Sequence, residues 1–453
     1  MQPFHLYEAA QAAKGVLYAP PEQRDALIRC VTIDSRKVEP GALFIPIQGE
    51  RFDGHDFIPA AYAAGACCCL TQRPLDTPLP YILVEDTAQA FQNMAAWYKS
   101  RMGAKTVGIT GSVGKTTTKE FVAGVLRQRF DVMYSKGNLN NQTGVPLMLF
   151  QLEPHHEAAV IEMGTNHFGE IDCLARMVRP DICLLTNIGT AHIEHFGSRA
   201  GIFQGKCEML SHMVPGGRVV VNGDDDMLVT LKTARQDVTT FGLRPEHDVY
   251  ASQVENLGLC GMRFIAHYEG KQAPIQLKTP GLHMVYNALA ALAIGRMFGM
   301  DIQSIQQGLN HYEALAGRMC IQQARSFTIL NDVYNANPAS MRASLDVLQS
   351  AAGRKVCILG DMLELGDQAA TLHREVGAYA AKLGMDSIVC IGALAQYLYQ
   401  GAIEAGAAHA QYFPTLEEGI AALPNCIHSG DHVLVKASRS LHFEQIVNAL
   451  LQI

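Results

Sequence analysis

Short apolar runs recur along this chain, and most are followed by a longer stretch in which apolar residues return at helical spacing. In residues 1–102 the runs are Ala42-Leu43-Phe44-Ile45-Pro46-Ile47 and Tyr81-Ile82-Leu83-Val84, with Ala-rich helix candidates at 58–66 and 88–100. A break at Met102-Gly103-Ala104 precedes a second block. There, buried strands are predicted at 106–110, 158–161, 182–185 and 218–221, with helical stretches between them. Strand–helix alternation of this kind builds a mostly parallel sheet covered on both faces. Residues 248–278 alternate polar and apolar without intervening helices and predict an antiparallel edge. From Gly317 the strand–helix alternation resumes, at 327–330, 356–359, 387–391 and 432–435, and predicts a second doubly wound sheet. The expected fold is α/β in three domains, at 1–102, 103–316 and 317–453, a count that suits 453 residues.

Composition removes several function classes. A hydrophobic fraction of 48% against 17% charged supplies material for several cores. The net charge of -7, with no basic run, leaves no polyanion-binding arm, so no nucleic-acid partner is expected. No run approaches the ~20 apolar residues that span a bilayer. Residues 1–20 lack the basic start and apolar core of a signal peptide. The expected location is the cytoplasm, without membrane insertion. The 12 cysteines include no C-x-x-C pair. The consecutive Cys67, Cys68 and Cys69 read as small buried hydrophobes in a reducing compartment.

The strongest chemical signal is Gly108-Ile109-Thr110-Gly111-Ser112-Val113-Gly114-Lys115-Thr116-Thr117-Thr118, between a predicted strand and a predicted helix at 118–129. Glycines let backbone N–H groups converge on phosphate oxygens, and the helix N-terminus adds a favourable dipole. In such a loop Lys115 faces the β/γ-phosphates and the Thr116 hydroxyl holds Mg2+. The pattern is compact, with Ile109 where the general form has glycine. A phosphate loop alone does not name a reaction. Glu162 ends the strand predicted at 158–161, a suitable place for a metal-holding carboxylate beside such a loop. Residues 186–198 (Thr-Asn-Ile-Gly-Thr-Ala-His-Ile-Glu-His-Phe-Gly-Ser) and then Lys206 follow the next strand. On spacing alone His192 reads as a structural hydrogen-bonder and Lys206 as a solvated helix lysine.

Taken in order, Thr-Gly-x-x-Gly-Lys-Thr, the strand-end Glu162, Asn-Ile-Gly-x-Ala-His and Lys206-x-Glu208 resemble the Mur ligase family, and the resemblance extends over nearly the whole chain. It implies an N-terminal α/β domain that binds a UDP-sugar-peptide, a central phosphate-loop domain that binds ATP, and a C-terminal Rossmann-like ligase domain. Within the family, Asp332-Val333-Tyr334-Asn335-Ala336-Asn337-Pro338 and the absence of an Asp-Asn-Pro signature after Gly360 point to one activity. The resemblance thus implies an ATP-dependent ligase that would join D-Ala-D-Ala to UDP-MurNAc-tripeptide in peptidoglycan synthesis. The alternatives are a MurE-type amino-acid-adding ligase, a folate polyglutamate ligase, for which the first domain has no use, and a nucleotide-binding switch, which needs no second metal site.

The same resemblance assigns residues. Ile33-Asp34-Ser35-Arg36 and 49–57 look like the UDP-binding segments, implying contacts from Ser35, Arg36, Gly49, Arg51, Asp53 and His55. The loop 138–146 resembles the substrate-side loop, implying Asn138, Asn141, Gln142 and Thr143. Lys206 is implied to be carbamylated, so that with Thr116, Glu162 and His192 it holds two Mg2+. The nucleotide is implied to meet Gly111 to Thr117, Asn287 on the adenine side, Arg318 at the phosphates, Asp332 at the ribose and Asn335. Tyr334 and Asn337 are implied to line the cleft. Catalysis is assigned to Lys115, His192, Lys206 and Arg318. Asp361 and Glu364 read equally well as loop-capping residues or as contacts for the incoming dipeptide. A monomer is expected.

Overall fold

The computed structural model describes residues 1–49 and 52–453. The chain divides into two compact units, one of residues 1–110, 129–184 and 205–219, the other of 111–128, 185–204 and 220–453.

In the first unit, a five-stranded sheet runs in the order Val16–Tyr18, Tyr81–Leu83, Ala66–Thr71, Ala42–Phe44, Cys30–Thr32. All pairs are parallel except the first. Helix Thr87–Ser100 starts where Asp86 accepts from the N–H groups of Ala88 and Gln89. One expectation changes here. The helix predicted over 58–66 is Ile58–Ala63, because Gly65 turns into the left-handed region at φ +106. Residues 66–71 then form a strand, in which Cys68 and Cys69 are fully buried. Burial pushes the Cys67 thiol up to about 11 and that of Cys69 to about 12, which leaves this run inert, as read from the sequence. The same unit holds Lys105–Thr110 and Val132–Tyr134, each paired in parallel with Ala158–Glu162. All but the first residue of Lys105–Thr110 are buried, as a strand covered on both faces requires.

In the second unit, helix Lys115–Leu126 packs against helix Leu282–Met297, whose faces are almost wholly apolar. Helix Lys115–Leu126 opens three residues earlier than its predicted start at 118, directly from the phosphate loop. The predicted antiparallel edge is present as Val249–Asn256, Met262–Tyr268 and Lys271–Leu277. The last sheet runs in the order Cys320–Gln323, Thr328–Asn331, His432–Lys436, Lys355–Gly360, Ser387–Ile391, Ala410–Phe413, parallel except for its first strand. The chain lays His432–Lys436 down last, between strands formed earlier. That crossover brings residues 332–337, 361–364 and 437–439 to one carboxyl edge, where open α/β sheets bind ligands. Among the described residues, no helix is long and apolar enough to cross a membrane.

Candidate active site

The phosphate loop is held open by its neighbours. Gly111 has φ +152, and a Cβ there would lie 1.9 Å from Thr186 Oγ1. Gly114, at φ +82, is the residue from which helix Lys115–Leu126 starts. The segment 186–189 braces the loop from one side. Val113 N–H donates to Asn187 Oδ1 (2.9 Å), and the Val113 carbonyl accepts from Thr186 Oγ1 (2.6 Å) and Asn187 Nδ2 (2.9 Å). Ser112 N–H donates to the Asn187 carbonyl, and Gly189 N–H to Ser112 Oγ. Lys115 Nζ donates to the Gly111 carbonyl at 2.8 Å, so its cation curls back over the loop. Thr116 and Thr117 are buried at the helix start. Asn287 accepts from Thr118 Oγ1 at 2.9 Å and so stands against this first turn. The sequence grouped Gly111 to Thr117 with Asn287, and the structure brings them together.

In the first unit, Glu162 ends its strand 2% exposed. Its backbone N–H donates to Ser135 Oγ, and its Oε1 accepts from Asn140 Nδ2 at 2.7 Å. Its Oε2 is buried with no hydrogen-bond partner among the described residues. A carboxylate fixed on one oxygen and left open on the other is suited to hold a cation. Asn140 escaped the sequence reading. Nothing in the run Asn138-Leu139-Asn140-Asn141 marks which amide turns inward. Asn141 instead accepts from Gly144 N–H and Thr143 Oγ1 at the start of helix Gly144–Leu149, while Asn138 and Gln142 are exposed. Lys206 lies in helix Arg199–Cys207, 1% exposed, not the solvated lysine that spacing suggested.

On the carboxyl edge of the last sheet, Arg318 lies over the Tyr334 ring, its Cζ 3.7 Å from the centroid. Asp332 fixes this corner. Its Oδ1 accepts from Met319 N–H, and its Oδ2 from Ser344 Oγ and the buried Lys436 Nζ, both at 2.6 Å. A carboxylate has about four lone-pair directions, so one remains on Oδ1 for a ligand hydroxyl. Asn335 Oδ1 accepts from Ala336 N–H, and Asn337 caps helix Pro338–Gln349 in a reciprocal box with Ser340. Asp361 accepts from Ala395 N–H at 2.7 Å, and burial pushes its carboxyl up. That is the loop-capping role. Glu364 does something else, as its Oε2 lies 2.6 Å from His192 Nδ1. Both residues sit at left-handed φ, +61 and +60, and Gly366 packs against Glu194 beside them. A non-glycine backbone adopts this region at a cost and keeps it where the surroundings demand it.

Among the assigned UDP contacts, Arg36 is exposed and paired with Asp34, whose carboxyl is held down at about 2 by that guanidinium. Ser35 opens the short turn between them. Gly49 N–H donates to the Phe52 carbonyl. His55 faces inward. Its Nδ1 meets Asp53 Oδ1 at 2.6 Å, and its Nε2 accepts from Gln72 N–H. Both ring nitrogens are thereby spent within the protein, one on the loop and one just past the end of strand Ala66–Thr71. Arg51 lies outside the described residues.

Three family models match the chain: Mur ligase family, catalytic domain, at residues 27–99; Mur ligase middle domain, at 109–295; and Mur ligase, glutamate ligase domain, at 317–439. The UDP-N-acetylmuramoyl-tripeptide--D-alanyl-D-alanine ligase of Escherichia coli K12 is 36% identical, over 94% of each chain. A crystal structure of MurF from Acinetobacter baumannii superposes with a TM-score of 0.93 at 33% identity, over 100% of both chains. MurF ligase from Thermotoga maritima in complex with ADP superposes with a TM-score of 0.85 at 26% identity, over 94% of this chain and 97% of that one.

Proposed function

This chain belongs to the Mur ligase family, and from that premise we infer that it is the ATP-dependent ligase that joins D-Ala-D-Ala to UDP-MurNAc-tripeptide, completing the pentapeptide precursor of peptidoglycan. The observation that carries the reading is the phosphate loop, braced by Thr186, Asn187 and Gly189, in a chain that follows these ligases from end to end.

The chemistry follows from the substrates. A carboxylate is a poor electrophile because its oxygen leaves badly. A carboxylate oxygen of the tripeptide therefore attacks the γ-phosphorus of ATP, ADP departs, and an acyl phosphate forms. The dipeptide amine attacks the acyl carbon, loses a proton, and expels phosphate as the amide forms. Negative charge gathers on the transferred phosphoryl group, which Lys115 and Arg318 offset, while the loop from Gly111 to Val113, held by Asn187, sets the backbone N–H groups of Gly114 to Thr117 to cradle the phosphates. Asn287 serves the adenine side, Asp332 and Asn335 the ribose side, and Tyr334 and Asn337 the cleft. Ser35, Arg36, Gly49, Arg51 and Asp53 serve the UDP end, with His55 holding Asp53 in place. Asn138, Asn141, Gln142 and Thr143 serve the acceptor peptide.

The open Oε2 of Glu162 fits a metal ion. Glu162 and a carbamate on the buried Lys206 would hold Mg2+, with Thr116 and His192 carried over as its further ligands on the family pattern. When bound, Mg2+ would supply positive charge to offset that of the phosphates. The functional domains are 1–102 for the nucleotide sugar, 103–316 for ATP and 317–453 for ligation, in a cytoplasmic monomer.

The test is phosphate release from ATP and Mg2+ with UDP-MurNAc-tripeptide and D-Ala-D-Ala. Release that needs both substrates is expected, and release indifferent to the dipeptide would refute the reading. Running lysine and diaminopimelate tripeptides side by side identifies the natural acceptor.

A further inference from the structure

We infer that Arg439 receives the free carboxylate of the incoming dipeptide, an inference that rests on the ligase reading above and deepens it.

The Tyr334 ring carries two guanidinium groups, with Cζ of Arg318 3.7 Å and Cζ of Arg439 5.8 Å from its centroid. Two cations held at one ring on the carboxyl edge of a parallel sheet form an anion site. The reaction brings two anions to this edge, the triphosphate and the dipeptide carboxylate, and Arg318 serves the first. Arg439 is left for the second. Its side chain is 61% exposed, and it meets Glu444 only at 3.8 Å, beyond hydrogen-bond reach. A guanidinium presents a planar fork that matches a carboxylate with two parallel hydrogen bonds.

The surrounding loops give the site a direction. Leu363 N–H donates to Ser438 Oγ, and Ser438 N–H donates to the Asp361 carbonyl, both at 3.0 Å. The loop 361–364 is thus bound to the loop 437–439 at one end. At its other end Glu364 reaches His192 at 2.6 Å. The Glu364 carboxylate favours the ammonium of a zwitterionic dipeptide at the His192 end, and Arg439 favours its carboxylate at the other. This orientation sends the amine towards the phosphate-loop segment, as attack on the acyl phosphate requires.

The experiment compares kcat/KM for D-Ala-D-Ala and for its C-terminal carboxamide, using the full chain as wild type, Arg439→Gln and Arg439→Lys, with KM for ATP measured alongside. Wild type is expected to prefer the free acid by about 10- to 100-fold, the range of one charge-assisted contact. In Arg439→Gln that preference should shrink to about threefold or less through the dipeptide KM, and Arg439→Lys should recover part of it. Turnover of the carboxamide by Arg439→Gln shows that the variant is folded. The inference is overturned if Arg439→Gln keeps the wild-type preference, if its effect falls on KM for ATP instead, or if wild type uses acid and carboxamide equally. A wild type that releases no phosphate with any acceptor pair overturns the ligase reading itself, and this inference with it.

Discussion

A methyl group at position 111 would sit 1.9 Å from the Thr186 hydroxyl oxygen, the same hydroxyl that holds the Val113 carbonyl. Gly111→Ala therefore has to displace either the loop or its brace. Misplacement by about 1 Å costs catalysis on the order of 100-fold, and kcat/KM for ATP, read by phosphate release, should fall by that size. Asn140 offers a second single-residue test. Its side-chain amide donates to Glu162 Oε1 at 2.7 Å. Asn140→Leu should raise the Mg2+ concentration for half-maximal activity about 10- to 100-fold, the usual consequence of removing a group that orients a metal ligand. An unchanged Mg2+ requirement would show that Glu162 is oriented by something else. The phosphate-loop residues were legible because their spacing along the chain is itself the motif. Asn140 was not, because its pairing with Glu162 joins a loop to a strand end whose proximity only the fold decides. The partnership of His192 with Glu364 was hidden for the same reason.

At the level of elements, the apolar runs located most of the strands. Strands 182–185 and 387–391 fall where they were predicted, and residues 248–278 are antiparallel as their alternation implied. The strand Ala66–Thr71 was missed because three cysteines after an Ala-rich helix carry no period-two signal. The placement of His432–Lys436 between earlier strands was not legible either, since sheet order is set by packing rather than by local pattern. One element carries a pH dependence. His373, on helix Ala369–Lys382, is buried, its Nδ1 pairing with the Ala369 carbonyl and its Nε2 accepting from Met362 N–H. The ring is neutral in the fold, and burial lowers its pKa below the ordinary 6.5. As pH falls below about 6.5 the unfolded chain takes up this proton first, so the stability due to neutral His373 is complete above that value and drains away below it. Between pH 7 and 5.5 the melting temperature of wild type should drop more steeply than that of His373→Gln. Parallel slopes would assign the loss to other groups.

For the molecule as a whole, composition argued against a nucleic-acid partner, no helix among the described residues is long and apolar enough to cross a membrane, and the alternation of strands and helices pointed to the α/β class. The reaction followed from a few motifs in a fixed order, and the likeness to known ligases over the full length agrees with it. The central claim is that ATP activates a carboxylate by phosphorylating it. It is tested most directly with UDP-MurNAc-tripeptide whose terminal carboxylate is labelled with oxygen-18. When the enzyme turns over with ATP and D-Ala-D-Ala, one labelled oxygen per turnover is expected in the phosphate released. Phosphate carrying no label, while the pentapeptide still forms, would contradict the account.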